Sequence, residues 1–410
     1  MRIYVETYGC SANKADSEYM IEILRRRHEI VWDWKEADLV IINTCGVKGP
    51  TEEKIVRRIS SLNGKRILIA GCLPWINFER LKGFGHSMMG PDQVEKVGEI
   101  VDRISKGERV VELKREEMRL GMKSFRFNPI VEIIPISQGC LGGCSYCATK
   151  FARGHLRSYR VGEIVKRAER AIKEGVKEIW LTSQDNACYG FDFGGNLAEL
   201  LEEVLSLEGK FWVRNGMMNP DHVLEILDEL VGIYRHPKLF KFIHVPVQSG
   251  SDDVLREMNR KYTVKEFKRV IKAFRRKIPN ITISTDVICG FPTESEEDWK
   301  KTLKLTKWLE PDVLNISKFY PRPNTRASKL KLLPTQIVKE RSRELSKLFD
   351  EIALERNKKW IGWEGEVLVD EGKKGRNNWY KRVCVGRGEG DWLNVKIVEV
   401  TPSTLIGEAI

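Results

Sequence analysis

Strand-like and helix-like segments alternate along most of this chain, and the alternation constrains its fold more than any other feature. Up to about residue 104, short apolar segments that predict buried strands are each followed by an amphipathic, helix-like segment. The strand segments are Arg2–Thr7, Ala37–Thr44 and Lys65–Gly71, and the helix segments are Ser17–Arg27, Thr51–Leu62 and Asp92–Ile104. This order predicts a parallel sheet with helices packed on its faces.

A second alternating series follows a charged segment, Lys114–Pro129, which we interpret as a linker. The six strands expected in this series are Val131–Ser137, Glu178–Ser183, Lys210–Asn215, Lys241–Val247, Ile281–Cys289 and Val313–Phe319. Six β/α units fall short of the eight that close a full barrel, so the pattern predicts a partial (β/α)6 barrel.

The end of the chain changes character. A long charged helix is predicted over Thr335–Trp360, and the last 50 or so residues form short strand-like segments with glycine-rich turns. That pattern favours a small all-β barrel. We therefore predict an α/β protein with a parallel N-terminal domain over 1–105, a linker over 106–128, a central barrel over 129–357 and a β-barrel over 358–410.

The charge balance favours an anionic partner. The net charge is +12, and the stretch Lys318–Trp360 holds twelve Lys and Arg against five Asp and Glu. A basic surplus attracts polyanions such as nucleic acids, although charge runs are also common on solvated helix faces. We find no apolar run of about 18 residues and no signal-peptide pattern. The sequence thus predicts a cytoplasmic protein with no membrane partner.

Three cysteines lie within eight residues of the stretch "SQGCLGGCSYCATKF", at Cys140, Cys144 and Cys147. Structural zinc usually takes four ligands, whereas a 4Fe–4S cluster held by three cysteines leaves one iron open to a small molecule. The motif follows a predicted strand end, where a β/α barrel places its chemistry. We therefore predict an iron–sulfur cluster. The alternative is a zinc site with a distant fourth ligand.

A second cysteine group becomes apparent when the N-terminal strands are laid side by side. Cys10, Cys45 and Cys72 each come just after a predicted strand. The carboxyl ends of neighbouring parallel strands line one crevice, so these three thiols are expected to converge on a second site. The alternative is three unrelated buried cysteines. Cys289 and Cys384 are expected in the core, and no ligand role is expected for Cys188.

Together these motifs resemble the radical S-adenosylmethionine methylthiotransferases over nearly the whole chain. "TYGCSANKADSE", with Cys45 and Cys72, resembles the cluster-binding domain of that family, and "GCLGGCSYCATK" resembles its radical-SAM core. The tail resembles a TRAM domain, a small RNA-binding β-barrel. One departure is Ser11-Ala12-Asn13, where the family usually has Gln-Met-Asn after the first cysteine.

The resemblance is greatest to the branch that modifies threonylcarbamoyladenosine in tRNA, through "CSYCATKFARGHLRSY", "HVPVQSGSD" and "FYPRPNTRASK". It implies an enzyme that methylthiolates carbon 2 of this base next to the anticodon. The implied partners are the tRNA anticodon stem-loop, an electron donor and a sulfide or persulfide source. The alternatives are methylthiolation of a ribosomal protein or of isopentenyl-adenosine in tRNA, and a non-catalytic iron–sulfur RNA-binding protein.

The resemblance also implies roles for the two cysteine groups. Cys140, Cys144 and Cys147 would hold a 4Fe–4S cluster that binds S-adenosylmethionine and cleaves it to a radical. Cys10, Cys45 and Cys72 would hold a second 4Fe–4S cluster, here called the auxiliary cluster, whose open iron carries the sulfur to be transferred.

Further site residues are expected at strand ends of the barrel, where polar side chains can contact S-adenosylmethionine or instead cap a helix or satisfy a loop. These candidates are Gln184, Asp185, Arg214, Gln248 and Asp286. In the tail, aromatic and basic side chains suit RNA through stacking and phosphate contact. The RNA-binding candidates there are Trp379, Tyr380, Lys381 and Arg382.

Overall fold

The computed structural model describes residues 1–47, 49–115, 123–386, 388 and 390–410. The chain forms two compact units. Unit one comprises Met1–Phe127, Ile133–Tyr159 and Tyr320–Lys329, and unit two comprises Asn128–Glu132, Arg160–Phe319 and Leu330–Ile410. The predicted linker includes residues 116–122, which lie outside the described residues. Both cysteine groups fall in unit one, so the units do not follow the linear domain boundaries expected from sequence.

Unit one is built on a six-stranded sheet in which all neighbouring strands are parallel. From one edge to the other its strands are Glu29–Ile30, Arg2–Thr7, Leu39–Thr44, Arg66–Gly71, Ser87–Met89 and Val111–Glu112. The parallel sheet predicted from sequence is thus confirmed. Residues of the central strands alternate between two apolar cores, because Leu39 and Ile41 pack on one face while Val40 and Ile42 pack on the other.

Helices cover both faces of this sheet. In unit one they are Ser11–Leu24, Gly49–Ser61, Leu73–Ile76, Phe78–Lys82, Val97–Ser105 and Thr149–Arg153, with 3₁₀ turns at Pro91–Lys96 and Arg326–Lys329. The first helix begins at Ser11 and not at the predicted Ser17. The prediction missed its first turns because they bury polar residues such as Asn13 and Asp16. A buried polar turn carries no amphipathic signal, so hydrophobic periodicity cannot detect it.

The strands of the second series form two three-stranded sheets, and all of these strands lie in unit two except Val131–Pro135, which belongs to unit one from Ile133 onward. In spatial order the sheets are Trp212–Asn215, Glu178–Thr182, Val131–Pro135, and Phe242–His244, Thr282–Cys289, Val313–Lys318. Parallel bridges from Val213 to Leu239 and from Met217 to His244 connect the two sheets. All six predicted strands are present, which confirms the partial barrel.

Three of the helices of unit two begin at side-chain caps. Asn196, Thr263 and Ser295 each accept a hydrogen bond from the backbone amide three residues later, which satisfies an otherwise unpaired donor.

No helix among the described residues is long and apolar enough to cross a membrane. The helices of unit two are Val161–Lys173, Leu197–Ser206, Pro220–Glu225, Leu227–Ile233, Asp252–Glu257, Val264–Lys277, Glu296–Leu309 and Thr335–Lys358, with a 3₁₀ turn at Asn186–Cys188.

The last fifty residues close into a five-stranded barrel, which confirms the small all-β module expected from the sequence. Its core contains aliphatic side chains such as Val367, Val383 and Ile397, capped by the indole of Trp360 from the end of the long helix. The strands are Glu364–Glu371, Lys374–Asn377, Arg382–Cys384, Trp392–Val400 and Leu405–Ala409.

One buried carboxylate joins three parts of unit two. Asp312 directly precedes Val313–Lys318, the last strand of the central barrel. Its carboxylate accepts hydrogen bonds from Lys381 Nζ of the terminal barrel at 2.6 Å and from Arg356 of the long helix at 2.8 and 3.0 Å. Burial alone raises the pKa of Asp312, but the charges of Lys381 and Arg356 hold it below its ordinary value. Asp312 is therefore ionised and anchors the terminal barrel to the central one.

We predict that Asp312→Ala lowers the free energy of unfolding by about 3–5 kcal/mol, because it leaves two buried cations without their counterion. Urea unfolding followed by tryptophan fluorescence measures this. The loss is present at neutral pH and shrinks as the pH falls below about 3.9, the pKa of an aspartate in the unfolded chain, towards the lower pKa of Asp312 in the folded protein. Asp253→Ala is the control, since its pair with Arg256 is exposed, and a change within about 0.5 kcal/mol is expected. Equal stabilities of the Asp312 variant and this control would contradict the assignment.

Candidate metal centre

The three N-terminal cysteines lie at one edge of the sheet of unit one. Cys45 and Cys72 directly follow the adjacent strands Leu39–Thr44 and Arg66–Gly71, and Cys10 follows the next strand after a two-residue turn. The turn comes so close that a Cβ on Gly9 would lie 2.8 Å from the Cβ of Cys45. The structure thus brings together the three thiols, as the parallel topology predicts.

Hydrogen bonds fix the turns that carry these cysteines. The Asn43 side chain donates to the carbonyl of Asn13 at 2.8 Å, and the Asn13 side chain donates to the carbonyl of Thr44 at 2.9 Å. The Thr44 carbonyl also accepts from the backbone amide of Cys72 at 3.0 Å. These buried bonds tie all three strand ends to each other and leave the sulfurs little freedom to move apart.

The protonation state of the Cys45 and Cys72 thiols depends on whether a metal centre is bound. Burial, then the neighbouring Cys72 sulfur, raises the pKa of the Cys45 thiol to about 12. Burial also raises the pKa of Cys72, although Arg153 opposes the rise. As free thiols both are therefore protonated at neutral pH, and binding of a metal centre releases their protons.

The second cysteine group lies on a loop whose base is closed by two short antiparallel strands, Ser137–Gln138 and Arg157–Ser158. Inside this base the Cys140 amide donates to the carbonyl of Gly154 at 3.2 Å. The Gly142 amide donates to the Cys140 sulfur at 3.2 Å, and a Cβ on Gly142 would lie only 3.2 Å from that sulfur. A glycine here therefore lets the backbone wrap closely around the sulfurs.

The spacing of the three sulfurs in each cysteine group bears on the kind of metal group that they can hold. Among the described residues, which include all six cysteines, neither group has its three sulfurs all within 4.8 Å of one another. A zinc ion binds each sulfur at about 2.3 Å, so two sulfurs on one zinc are at most about 4.6 Å apart. As free thiols, neither group is thus gathered around one point as for a single zinc ion, whereas three thiolates with no fourth ligand are the donor set of an iron–sulfur cluster with one open iron.

The two cysteine loops pack against each other. The short helix Leu73–Ile76, which follows Cys72, contacts the short helix Thr149–Arg153, which follows Cys147. Cys72, Ile76, Ala148 and Ala152 form a buried cluster between them. The sequence places these loops 75 residues apart and gives no signal for their contact, because both helices have fewer than six residues.

Arg153 and Asp16 form a buried ion pair beside the N-terminal cysteines, which the sequence analysis did not anticipate. Arg153 Nη2 donates to Asp16 Oδ2 at 2.6 Å, and the two side chains are only 2% and 4% exposed. Asp16 lies inside "TYGCSANKADSE" and Arg153 inside "CSYCATKFARGHLRSY", two motifs that we quoted only for the resemblance. The signal available in the sequence was one cation and one anion, each inside a motif that carries cysteines.

Two of the residues proposed to contact S-adenosylmethionine lie side by side in unit two, Asp286 on the strand Thr282–Cys289 and Gln248 at an isolated bridge to that strand. Asp286 accepts hydrogen bonds from His244 at 2.8 Å and from Asn315 at 2.7 Å, and Gln248 donates its backbone amide to the Asp286 carbonyl at 2.8 Å. Gln248 holds a φ of 68°, in the left-handed region that non-glycine residues rarely adopt. His244 and Asn315 thus join the predicted group.

Asp185, Arg214 and Gln184 have other surroundings. The buried carboxylate of Asp185 accepts bonds from two backbone amides, from the Asn219 side chain at 2.7 Å and from His222 at 2.6 Å. Arg214 lies over the rings of Trp180 and Tyr380 at 5.2 and 5.4 Å. Asp185 is thus held by hydrogen bonds and Arg214 by aromatic rings, while Gln184 is half-buried beside Asp185, and contact of these three residues with S-adenosylmethionine stays a prediction.

The four residues expected to bind RNA divide into two pairs. Lys381 is buried against Asp312, and Tyr380 is half-buried against Phe240 and Phe242, so both help to anchor the terminal barrel. That is a correction to the sequence reading, which took a basic and aromatic run as a surface. Trp379 is half-buried against Trp360 and Trp363, and Arg382 is 41% exposed beside Glu371.

Two family descriptions match this chain. The Radical SAM superfamily matches residues 134–306. Uncharacterized protein family UPF0004 matches residues 2–89. The first match contains Cys140, Cys144 and Cys147, and the second contains Cys10, Cys45 and Cys72, so each cysteine group falls within its own family segment.

Full-length relatives decide the family. The chain is 44% identical to the probable threonylcarbamoyladenosine tRNA methylthiotransferase of Pyrococcus abyssi, over 100% of both chains. It is 38% identical to the human threonylcarbamoyladenosine tRNA methylthiotransferase, over 100% of this chain and 74% of the human one. The chain belongs to the threonylcarbamoyladenosine tRNA methylthiotransferase family. Enzymes of this family use S-adenosylmethionine and two 4Fe–4S clusters, which agrees with the two sites described above.

Solved structures support the fold alone. A radical S-adenosylmethionine methyltransferase, TsrM from Kitasatospora setae, superposes with a TM-score of 0.56 at 15% identity, covering 80% of this chain and 75% of the other. The cobalamin-dependent radical enzyme OxsB gives a TM-score of 0.54 at 12% identity, covering 85% of this chain and 56% of the other.

We predict about eight irons per chain after anaerobic reconstitution, from two clusters of four. Joint replacement of Cys140, Cys144 and Cys147 by alanine should leave about four, because the N-terminal cysteines are carried by other strands. Replacement of Cys289 and Cys384 is the control and should leave about eight. Iron and sulfide analysis gives the count, and loss of all iron from the triple variant would mean that the two groups do not form separate sites.

Proposed function

We propose that this protein is a tRNA-modifying enzyme that adds a methylthio group to carbon 2 of threonylcarbamoyladenosine next to the anticodon. The observation that carries the proposal is the packing of two three-cysteine loops against each other in unit one. One loop suits a cluster that activates S-adenosylmethionine, and the other suits a cluster that supplies sulfur. The names of the full-length relatives support this substrate class.

We assign Cys140, Cys144 and Cys147 to the cluster that binds S-adenosylmethionine. When bound, that cluster supplies the electron that cleaves S-adenosylmethionine, and the resulting radical can take hydrogen from an inert adenine C–H bond. The protein's part is to hold the loop. The paired strands Ser137–Gln138 and Arg157–Ser158 fix its base, and the amide of Gly142 directs a hydrogen bond to the Cys140 sulfur.

We assign Cys10, Cys45 and Cys72 to the auxiliary cluster. Three protein ligands leave one iron able to hold the sulfur that is transferred. The buried amides and carbonyls of Asn13, Asn43 and Thr44 hold the three strand ends in place.

We also propose that the terminal barrel is a TRAM domain that binds the tRNA, in a cytoplasmic enzyme. Its burial against the central barrel supports a fixed position, because Trp212, Phe240 and Phe242 pack against Tyr380 and Trp392. Deletion of the barrel would expose these side chains. The RNA-binding role is therefore better tested with surface variants than with a truncated chain.

The test of the proposed function is analysis of tRNA nucleosides by mass spectrometry. Purified, reconstituted protein is incubated with S-adenosylmethionine, a reductant, sulfide and tRNA that carries threonylcarbamoyladenosine. We expect a product heavier by one methylthio group in place of one hydrogen. tRNA with unmodified adenosine or with isopentenyl-adenosine at that position serves as the control. A parallel reaction contains ribosomal protein in place of tRNA. Product on isopentenyl-adenosine alone, or on ribosomal protein alone, would overturn the proposal.

The two clusters should have separable roles. With Cys10, Cys45 and Cys72 replaced by alanine, cleavage of S-adenosylmethionine should continue, since its cluster is bound by the other loop. Methylthio transfer should fall below detection, because no site holds the sulfur. Chromatography of 5′-deoxyadenosine and mass spectrometry of the tRNA measure the two activities in one reaction. Undiminished transfer in this variant would refute the role of the auxiliary cluster.

RNA binding by the terminal barrel should depend on its exposed cations. Lys373 and Lys374 lie at an exposed turn, and we predict that K373E/K374E weakens tRNA binding and lowers the slope of log K against log salt by about 1–2 units. K35E/K106E is the control with the same change in net charge on unit one, and its salt slope should match the parent protein. Fluorescence anisotropy across a salt series, with iron content as the folding check, gives both slopes. Equal slopes for both variants would mean that these lysines contact no phosphate.

A further inference from the structure

Arg153 belongs to one cysteine loop by sequence but to the other site by position. It ends the helix Thr149–Arg153, six residues after Cys147. The following residue, Gly154, accepts the backbone hydrogen bond of Cys140, so the backbone at Arg153 is fixed to the base of that loop. Its side chain nevertheless extends to the edge of the N-terminal sheet, where it meets Asp16.

The guanidinium lies among the thiols of the auxiliary site. Ala152, the residue before Arg153, belongs to the same buried cluster as Cys72. The charge of the guanidinium lowers the pKa of the Cys72 and Cys45 thiols and interacts with the Cys10 thiol. One nitrogen is within 3.5 Å of the Asn13 carboxamide oxygen, which itself accepts a hydrogen bond from the Cys10 thiol at 3.5 Å. All three sulfurs of the auxiliary site are thus close to one buried cation.

Asp16 holds this cation in place. The carboxylate is 4% exposed and bonds the guanidinium at 2.6 Å, and Gln138 accepts from the other terminal nitrogen at 3.4 Å. A buried guanidinium is costly unless paired, so the ion pair explains how the charge is maintained there. The two charges do not cancel at the site, because the charge of Arg153 lowers the pKa of the Cys72 thiol more than the charge of Asp16 raises it.

A cluster with three thiolate ligands is an anion, and one-electron reduction makes it more negative. A buried positive charge stabilises the reduced form more than the oxidised one, and therefore raises the reduction potential. Hydrogen bonds to the sulfurs act in the same direction. A negative charge at the same site acts in the opposite direction.

We propose that Arg153 is a positioning residue that sets the charge and the reduction potential of the auxiliary cluster from the loop that carries the other cluster. The proposal rests on the assignment of Cys10, Cys45 and Cys72 as cluster ligands. It assigns opposite effects to the two members of the ion pair, with Arg153 raising the potential and Asp16 lowering it.

The experiment measures the midpoint potential of the auxiliary cluster in full-length protein. Cys140, Cys144 and Cys147 are replaced by alanine so that only the auxiliary cluster remains, and reduction is followed by electron paramagnetic resonance in a redox titration. If that background loses iron, the titration is done on the complete enzyme, where added S-adenosylmethionine alters the spectrum of the other cluster and so separates the two signals.

At the midpoint potential of the parent protein, R153Q should raise the ratio of oxidised to reduced cluster about tenfold, a shift of about 59 mV to lower potential for one electron. D16N should shift the potential in the opposite direction. R153K keeps the charge and should restore most of the parent value. R80Q is the control, since Arg80 belongs to the same unit and pairs with Glu52 and Glu53, and its potential should be unchanged.

A purely structural role gives a different result. It predicts that R153Q and D16N, which break the same ion pair, both lose iron or shift the potential in the same direction, and either outcome overturns the proposal. If R153Q holds no iron, D16N is compared with D16N/R153Q, which leaves no unpaired carboxylate, and the double variant should have the lower potential by about the same tenfold ratio. An unchanged potential with full iron content overturns the proposal as well. Loss of methylthio transfer with an unchanged potential would leave the proposed function in place and reject only the role of Arg153.

Discussion

The auxiliary site depends on the register of three adjacent parallel strands. Thr7 pairs with Asn43, and Thr44 pairs with Gly71, so the three strands end at nearly the same level of the sheet. Cys45 and Cys72 follow at once, and Cys10 follows the turn at Gly9. A slip of one residue would move a sulfur by about 3.3 Å and turn the side chains of that strand to the other face. The apolar packing on both faces excludes such a slip, so the hydrophobic core determines the geometry of the site.

Unit one combines this apolar core with an unusually polar edge. Asn13, Asp16 and Glu18 are all nearly inaccessible to solvent, although they lie in the first two turns of one helix. Buried polar groups destabilise a fold unless they are hydrogen-bonded. Here Asn13 is bonded to the strand end at Thr44, and Asp16 is bonded to Arg153. The same bonds that satisfy these groups also hold two cysteine loops together, so the stability of this edge and the geometry of the site have a common origin.

The strands and the convergence of Cys10, Cys45 and Cys72 could be predicted from sequence, because apolar runs and strand ends are local signals. The start of the first helix could not, since its first turns have no apolar face. Arg153 and Lys381 show that sequence patterns do not predict the partners of buried charged side chains. Their partners, Asp16 and Asp312, lie 137 and 69 residues away in the chain, and no local pattern indicates such pairs. Lys381 was therefore taken for a surface residue, although it lies in the interior.

The same limit affects the basic run Lys318–Trp360. Three of its cations are committed to buried carboxylates outside the run, through the pairs Arg322–Glu52, Arg341–Glu294 and Arg356–Asp312. Counting charges along the run therefore overstates the charge that a polyanion meets. Among the exposed cations of the long helix, Lys339, Arg343 and Lys347 are spaced four residues apart and lie along one side of it. Their spacing places them about 6 Å apart along the helix axis, close to the distance between neighbouring phosphates of a nucleic-acid strand. A polyanion therefore meets fewer cations than the charge count suggests, and these three form an ordered stripe among them.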